Sequence, residues 1–170
     1  MDTLKQEFSK IYDEYIKKIY RFIYLKVSSE AIAQDLTSET FLKFWKSFQK
    51  RGSDIDNSSA FLYKIAHNLI VDHYKKREKQ PSISIEDKQI ADQNVNLEKG
   101  AILSSDMDTV KTVLADINSD YQDIIIWHYL DEFSIPEIAL MMDKSEETAR
   151  VTLHRALKSL KEKMEQNRTA

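Results

Sequence analysis

Three groups of side chains could do chemistry. The first lies near the C-terminus. Arg150, Arg155 and Lys158 recur along one segment, with Glu147 one turn before them and Val151 and His154 between them. Guanidinium and ammonium groups bond phosphates, and arginine also pairs with a guanine edge through two hydrogen bonds. The same segment carries Ala149, Leu153, Ala156, Leu157, Leu160 and Met164 at helical spacing on the other face. Arg150 to Lys163 holds five basic residues against Glu162 alone. On spacing alone, a solvated surface helix of an ordinary bundle fits as well as a DNA-reading one.

The second group is Lys64, His67, Asn68, His73, Lys75, Lys76, Arg77 and Lys79, set among Phe61, Leu62, Ile65, Leu69, Ile70 and Tyr74. Basic residues follow a phosphate chain, while an amide and aromatic faces can hold an unstacked base. A core-packed helix with a basic last turn is the alternative. The third group, Asp35, Glu39 and Lys43, repeats every four residues beside Phe41, Phe44, Trp45 and Phe48. That pattern predicts a charged face backed by an aromatic core, either solvated or turned to a partner.

Catalytic constellations are missing from the sequence. His67, His73, His128 and His154 include no pair spaced to put two metal ligands on one helix face, and there is no cysteine. Two glycines in 170 residues leave no phosphate-cradling loop and no nucleophile elbow. No enzyme activity, metal or cofactor is expected.

The elements that position these groups read as helices throughout. So few glycines and only two prolines exclude a turn-rich sheet fold. Apolar steps of three and four predict a helix over 4–27, through Leu4, Phe8, Ile11, Tyr15, Ile19, Phe22 and Ile23. A break at Ser28-Ser29 leads to a second helix ending near Phe48, with Ile32, Leu36 and the aromatics as its stripe. A polar loop over 49–59 precedes a third, capped near Ser58 or Ser59. Residues 81–106 turn acidic and lose periodicity, with a strand-like hint at Ser82–Ile85 and some helix around Val95–Leu103. They predict a linker between two domains, 1–80 and 107–170. Beyond it, Met107, Val110, Val113, Leu114 and Ile117 mark one helix. Tyr121, Ile124, Ile125, His128 and Tyr129 mark the next, capped by Asn118 or Ser119. Ser134-Ile135-Pro136-Glu137 is a capping box with proline in the first turn. Asp143-Lys144-Ser145 then separates two helices by three residues, the helix-turn-helix spacing.

The net charge of −3 hides an uneven distribution. Residues 1–80 carry 15 Lys and Arg against 11 Asp and Glu, whereas 108–170 carry 8 against 12. A basic face inside an acidic domain carries more information than the total. No apolar run approaches the roughly 18–20 residues of a membrane span, and Met1–Glu7 has no apolar signal core. A cytoplasmic protein without membrane insertion is expected.

The order of these parts resembles the extracytoplasmic-function (ECF) group of the sigma-70 family of bacterial RNA polymerase sigma factors. Three stretches carry the resemblance. One is Phe8-x-x-Ile11-Tyr12-x-x-Tyr15, then Ile19-Tyr20-Arg21-Phe22-Ile23 and Ala33-x-Asp35-Leu36-Thr37-Ser38-Glu39-Thr40-Phe41-Leu42-Lys43-Phe44-Trp45. Another is Phe61 to Lys76, around Ala66-His67-Asn68-Leu69-Ile70-Val71-Asp72. The last runs from Glu137-Ile138-Ala139 through Glu147-Thr148-Ala149-Arg150-Val151 to Leu160. The glycine usual in the family's turn is here Asp143.

The resemblance implies an all-α fold of two small helical domains: sigma region 2 (1–80) and a region 4 helix-turn-helix (107–170), joined by a flexible linker. It implies a factor that binds core RNA polymerase, at the β′ clamp and β flap, and directs promoter-specific initiation. Asp35, Glu39 and Lys43 are similar to the clamp-docking surface. Asp56, Asn57, Lys64, His67, Asn68, Lys75, Lys76 and Arg77 would act on −10 DNA. Glu147, Thr148, Arg150, Val151, His154, Arg155 and Lys158 would act on the −35 element, with Arg150 reading a base and Lys158 a phosphate. Promoter DNA and a cognate anti-sigma factor are the other implied partners. The alternatives are a stand-alone helix-turn-helix regulator, which would need no basic-aromatic third helix and no clamp-type surface, and a helical adaptor that binds only proteins.

Overall fold

The computed structural model describes residues 2–52, 57–79 and 111–169, which fall into two compact units. All regular structure among the described residues is helical. The expected linker 81–106, with its strand-like and helical hints, lies outside the described residues, as do Met107 and Val110.

In the first unit α1 (Asp2–Val27), α2 (Glu30–Arg51) and α3 (Ser58–Lys79) each pack against the other two. The core takes Ile19, Phe22, Ile23 and Tyr24 from α1, Ala33, Phe41, Phe44 and Phe48 from α2, and Leu62, Tyr63, Ala66 and Ile70 from α3. The C-terminal half of α1 is buried on every side from Phe22 to Val27, while Leu4, Phe8, Ile11 and Tyr15 are half-buried. Tyr63 meets Phe22 edge-on at 5.5 Å between ring centroids, a geometry that suits two aromatic quadrupoles. Each fully buried aromatic or branched side chain contributes about 1.5–3 kcal/mol of transfer energy.

The ends of these helices have local causes. Ser28 adopts φ 60 and its N–H bonds the carbonyl of Tyr24, which stops α1. Ser29 then caps α2 by accepting from the Ile32 N–H at 3.3 Å. α2 outlasts its apolar stripe and ends at Arg51, because Gln49, Lys50 and Arg51 favour helix and basic residues suit its last turn. Gly52 follows at φ 50, its N–H bonded to the Phe48 carbonyl; that conformation is open to glycine. The cap of α3 is Asn57, one residue before the serines expected there. Its Oδ1 accepts from the Ala60 N–H at 3.0 Å and from the Ser59 hydroxyl at 2.7 Å. At the other end the Tyr74 hydroxyl donates to the Lys26 carbonyl and ties α3 to α1.

The described part of the second unit opens with helical residues 111–114. It continues through α4 (Ser119–Ile125), a π-helical turn (Ile126–Leu130), α5 (Ile135–Met142) and α6 (Glu146–Thr169). α4 and α5 both pack on α6. Asn118 caps α4 through the Asp120 N–H at 2.8 Å. The π turn alters the expected apolar face. Ile126 and Trp127 are buried, while Tyr129 is 52% exposed and His128 half-buried. A wider turn rotates the side chains that follow it out of 3.6-residue register. The capping box at Ser134–Glu137 forms in full, with Pro136 in the first turn.

Candidate nucleic-acid interface

The turn before α6 sets the direction of that helix. Lys144 N–H bonds the Ala139 carbonyl at 3.0 Å and Asp143 N–H bonds the Leu140 carbonyl at 3.3 Å. Those are the two bonds of a Schellman motif, and Asp143 takes its left-handed position at φ 57. Aspartate visits that region more readily than bulkier residues, so the family's glycine is replaceable at a modest cost. Ser145 then caps α6. It accepts from the Thr148 N–H at 3.1 Å, and its hydroxyl donates to Thr148 Oγ1 at 2.9 Å.

Ala149 and Ala156 are fully buried, and this fixes which way α6 faces. Leu153, Leu157 and Leu160 are half-buried beside them. Glu147, Thr148, Arg150, Val151, His154, Arg155 and Lys158 are all exposed. The structure thus puts the seven expected −35 residues on the solvent side of one helix. Glu146, which the sequence reading left out, sits 3.6 Å from Arg150 in an exposed ion pair. Thr148 spends its hydroxyl and N–H on the cap.

The expected −10 residues divide. Side chains on a helix step by about 100° per residue, so Lys64, Asn68 and Lys75 share one stripe of α3, and all three are exposed. Lys76 is exposed on a neighbouring side, whereas His67 and Arg77 are half-buried. Asn57 commits its Oδ1 to capping α3, and Asp56 lies outside the described residues. His73 projects opposite Lys64, with its Nε2 buried and without a hydrogen-bond partner. Burial, followed by the charges of Arg77 and Lys76, holds its pKa below the ordinary 6.5.

On α2, Asp35, Glu39 and Lys43 are all exposed, with Glu39 and Lys43 paired at 3.8 Å. Leu42 shares their side of the helix and is 53% exposed. It borders an open apolar groove of about 400 Å3 lined by Lys5, Phe8, Phe41, Leu42 and Trp45. Phe41, Phe44 and Phe48 are core as expected, but Trp45 is half-buried and joins the groove. The signal for this groove was Leu42, an apolar residue out of step with the buried stripe.

Among the described residues no cluster of three or more His, Asp or Glu side chains could hold a metal. No helix there is long and apolar enough to cross a membrane.

Residues 11–80 match sigma-70 region 2 and residues 108–160 match sigma-70 region 4. The chain is 29% identical to the ECF RNA polymerase sigma factor BldN of Streptomyces coelicolor, over 90% of this chain and 58% of BldN. It is 25% identical to the ECF sigma factor SigX of Bacillus subtilis, over 95% of this chain and 86% of SigX.

The chain belongs to the ECF group of the sigma-70 family.

The fold of this sigma factor agrees with solved structures. The sigma factor RpoE in complex with the anti-sigma factor NepR from Bartonella quintana superposes with TM-score 0.69 at 20% identity, covering 94% of this chain and 98% of that one. CnrH in complex with the cytosolic domain of CnrY gives 0.68 at 15%, covering 95% and 89%. The match of 11–80 to region 2 accounts for the first unit, which a stand-alone helix-turn-helix regulator does not need. An ECF sigma factor directs transcription initiation by RNA polymerase, and the exposed basic faces of α3 and α6 suit that task.

Proposed function

We infer that this sigma factor divides promoter recognition between its two units. α2 docks on the β′ clamp of core polymerase through Asp35, Glu39 and Lys43, with Leu42 beside them. Lys64, Asn68 and Lys75 on α3 follow the −10 DNA, with Asp56, Asn57, His67, Lys76 and Arg77 around that path. α6 lies against the −35 element. The observation that carries this reading is the matched design of α3 and α6. Each buries one face in its own small core and leaves a polar, basic face open.

Residues 81–106 serve as the tether between domains 1–80 and 107–170, and region 4 meets the β flap. RNA synthesis belongs to the polymerase. This chain contributes binding energy: extruding a promoter base costs a few kcal/mol, which contacts on α3 must offset. The protein works in the cytoplasm, and a cognate anti-sigma factor holds it inactive, as NepR accompanies RpoE in the similar complex.

A fluorescent adenine analogue in the −10 strand tests the division of labour. Core polymerase with this chain should unstack the probe, and Asn68→Ala should slow or abolish that signal without weakening core binding. Unchanged opening by Asn68→Ala together with Lys64→Ala would remove α3 from the assignment.

A further inference from the structure

The exposed face of α6 has an internal order. With about 100° per residue, Glu147, Val151, His154 and Lys158 project within roughly 60° of one another, directly away from buried Ala149 and Ala156. Arg150 and Arg155 project to opposite sides of that stripe. The two guanidinium groups therefore flank it as the two phosphate backbones flank a major groove, and Lys158 continues it toward the C-terminus. Arg150, held toward Glu146 at 3.6 Å, leans away from the stripe.

One member of the stripe is apolar. Val151 is 43% exposed. A lone exposed valine is ordinary on a protein surface. Its position gives it meaning here, at the centre of a polar face between two arginines. A β-branched residue also favours an exposed helix position less than alanine or lysine would. The floor of the major groove offers one apolar group, the C5-methyl of thymine.

We propose that Val151 is a specificity-determining residue that packs on a thymine methyl in the −35 element, with Arg150 and Arg155 holding phosphates on either side. The assignment rests on reading α6 as the −35 helix. It makes Arg150 a phosphate contact where the sequence pattern suggested a base reader.

The test uses full-length protein in holoenzyme with core polymerase. The probe is a promoter duplex selected by that holoenzyme from a library randomised across the −35 region. Each thymine of the element is replaced in turn by deoxyuridine, which lacks only the methyl. One replacement should weaken wild-type binding by about fourfold, the effect of one buried carbon. Val151→Ala should bind the thymine duplex with the same loss and no longer distinguish the two bases at that position. Full sensitivity in Val151→Ala, or no sensitive position in the wild type, would overturn the contact. Arg155→Ala with Lys158→Ala separates the two levels. Weakened binding with a shallower salt dependence keeps α6 on the DNA. Unchanged affinity and salt dependence would overturn the placement of α6 and the Val151 contact together.

Discussion

The guanidinium of Arg150 lies 3.6 Å from the carboxylate of Glu146, one turn earlier on α6, with both side chains more than half exposed. An exposed i,i+4 pair stabilises a helix by only about 0.3–0.5 kcal/mol. Its larger effect is on charge at the N-terminal end of α6, where Glu146 and Glu147 offset the cations behind them. Glu146→Gln should leave the melting temperature nearly unchanged and tighten holoenzyme binding to all promoter sequences alike. A filter-binding series over salt concentration would show the gain shrinking as salt rises. A gain confined to one base position would mean that Glu146 itself reads sequence.

Asp143 occupies the left-handed position of the Schellman turn at φ 57. Glycine adopts that conformation without steric cost, though it gives back some unfolded-state entropy. Asp143→Gly should therefore raise the stability of the second unit by about 0.5–1 kcal/mol, and Asp143→Val should lower it by about 1–2 kcal/mol. Thermal unfolding of the full chain checks both. Destabilisation by the glycine variant would mean that the Asp143 side chain holds the turn.

Docking of the exposed α2 face on the clamp, as proposed, would separate binding from folding. Asp35→Lys with Glu39→Lys, and separately Leu42→Ala, alter exposed positions of α2. Both variants should keep wild-type helicity and lose affinity for core polymerase, by about tenfold or more for the double charge reversal. Competition against wild-type chain for a limiting amount of core enzyme measures the loss. Equal competition by both variants would place the docking surface elsewhere.

His73 gives the first unit a pH dependence of known sign. Its folded pKa lies below the ordinary 6.5, through burial and then through Arg77 and Lys76. The unfolded chain thus takes up this proton at higher pH than the folded one. The full stability is present above about pH 6.5 and is lost as pH falls from there through the folded pKa. Denaturant unfolding at pH 7.5 and 5.5 should show a smaller difference between the two pH values for His73→Gln than for wild type. An equal difference would mean that His73 is not a source of the slope.

Much of this was legible in the residues because strong local rules agreed with tertiary demand. Ser134 to Glu137 carries its own cap, proline and apolar run, and α5 begins where they place it. Ala149 and Ala156 at helical spacing turned inward, so the polar side of α6 followed. The failures fall where a side chain had two physical options. Thr37 and Thr40 are polar, yet both are buried, since each hydroxyl bonds the carbonyl four residues back at 2.6 Å. The cap of α3 was expected at Ser58 or Ser59, but Asn57 just before them carries an amide oxygen that reaches the Ala60 N–H and starts the helix. The π turn at Ile126–Leu130 has no signature in periodicity, so the exposure of Tyr129 went unforeseen. Arg150 showed its charge in the sequence, but its lean toward Glu146 needed the folded helix.

Initiation in a purified system is the decisive readout for this chain. Purified core polymerase would be incubated with a library of genomic fragments, with and without this chain, and the 5′ ends of the transcripts mapped. Adding this chain should produce a discrete set of new start sites, each preceded by two shared elements at fixed spacing. Arg155→Ala with Lys158→Ala should deplete those sites without restoring random initiation. Start sites identical to those of core polymerase alone would contradict a role in promoter selection.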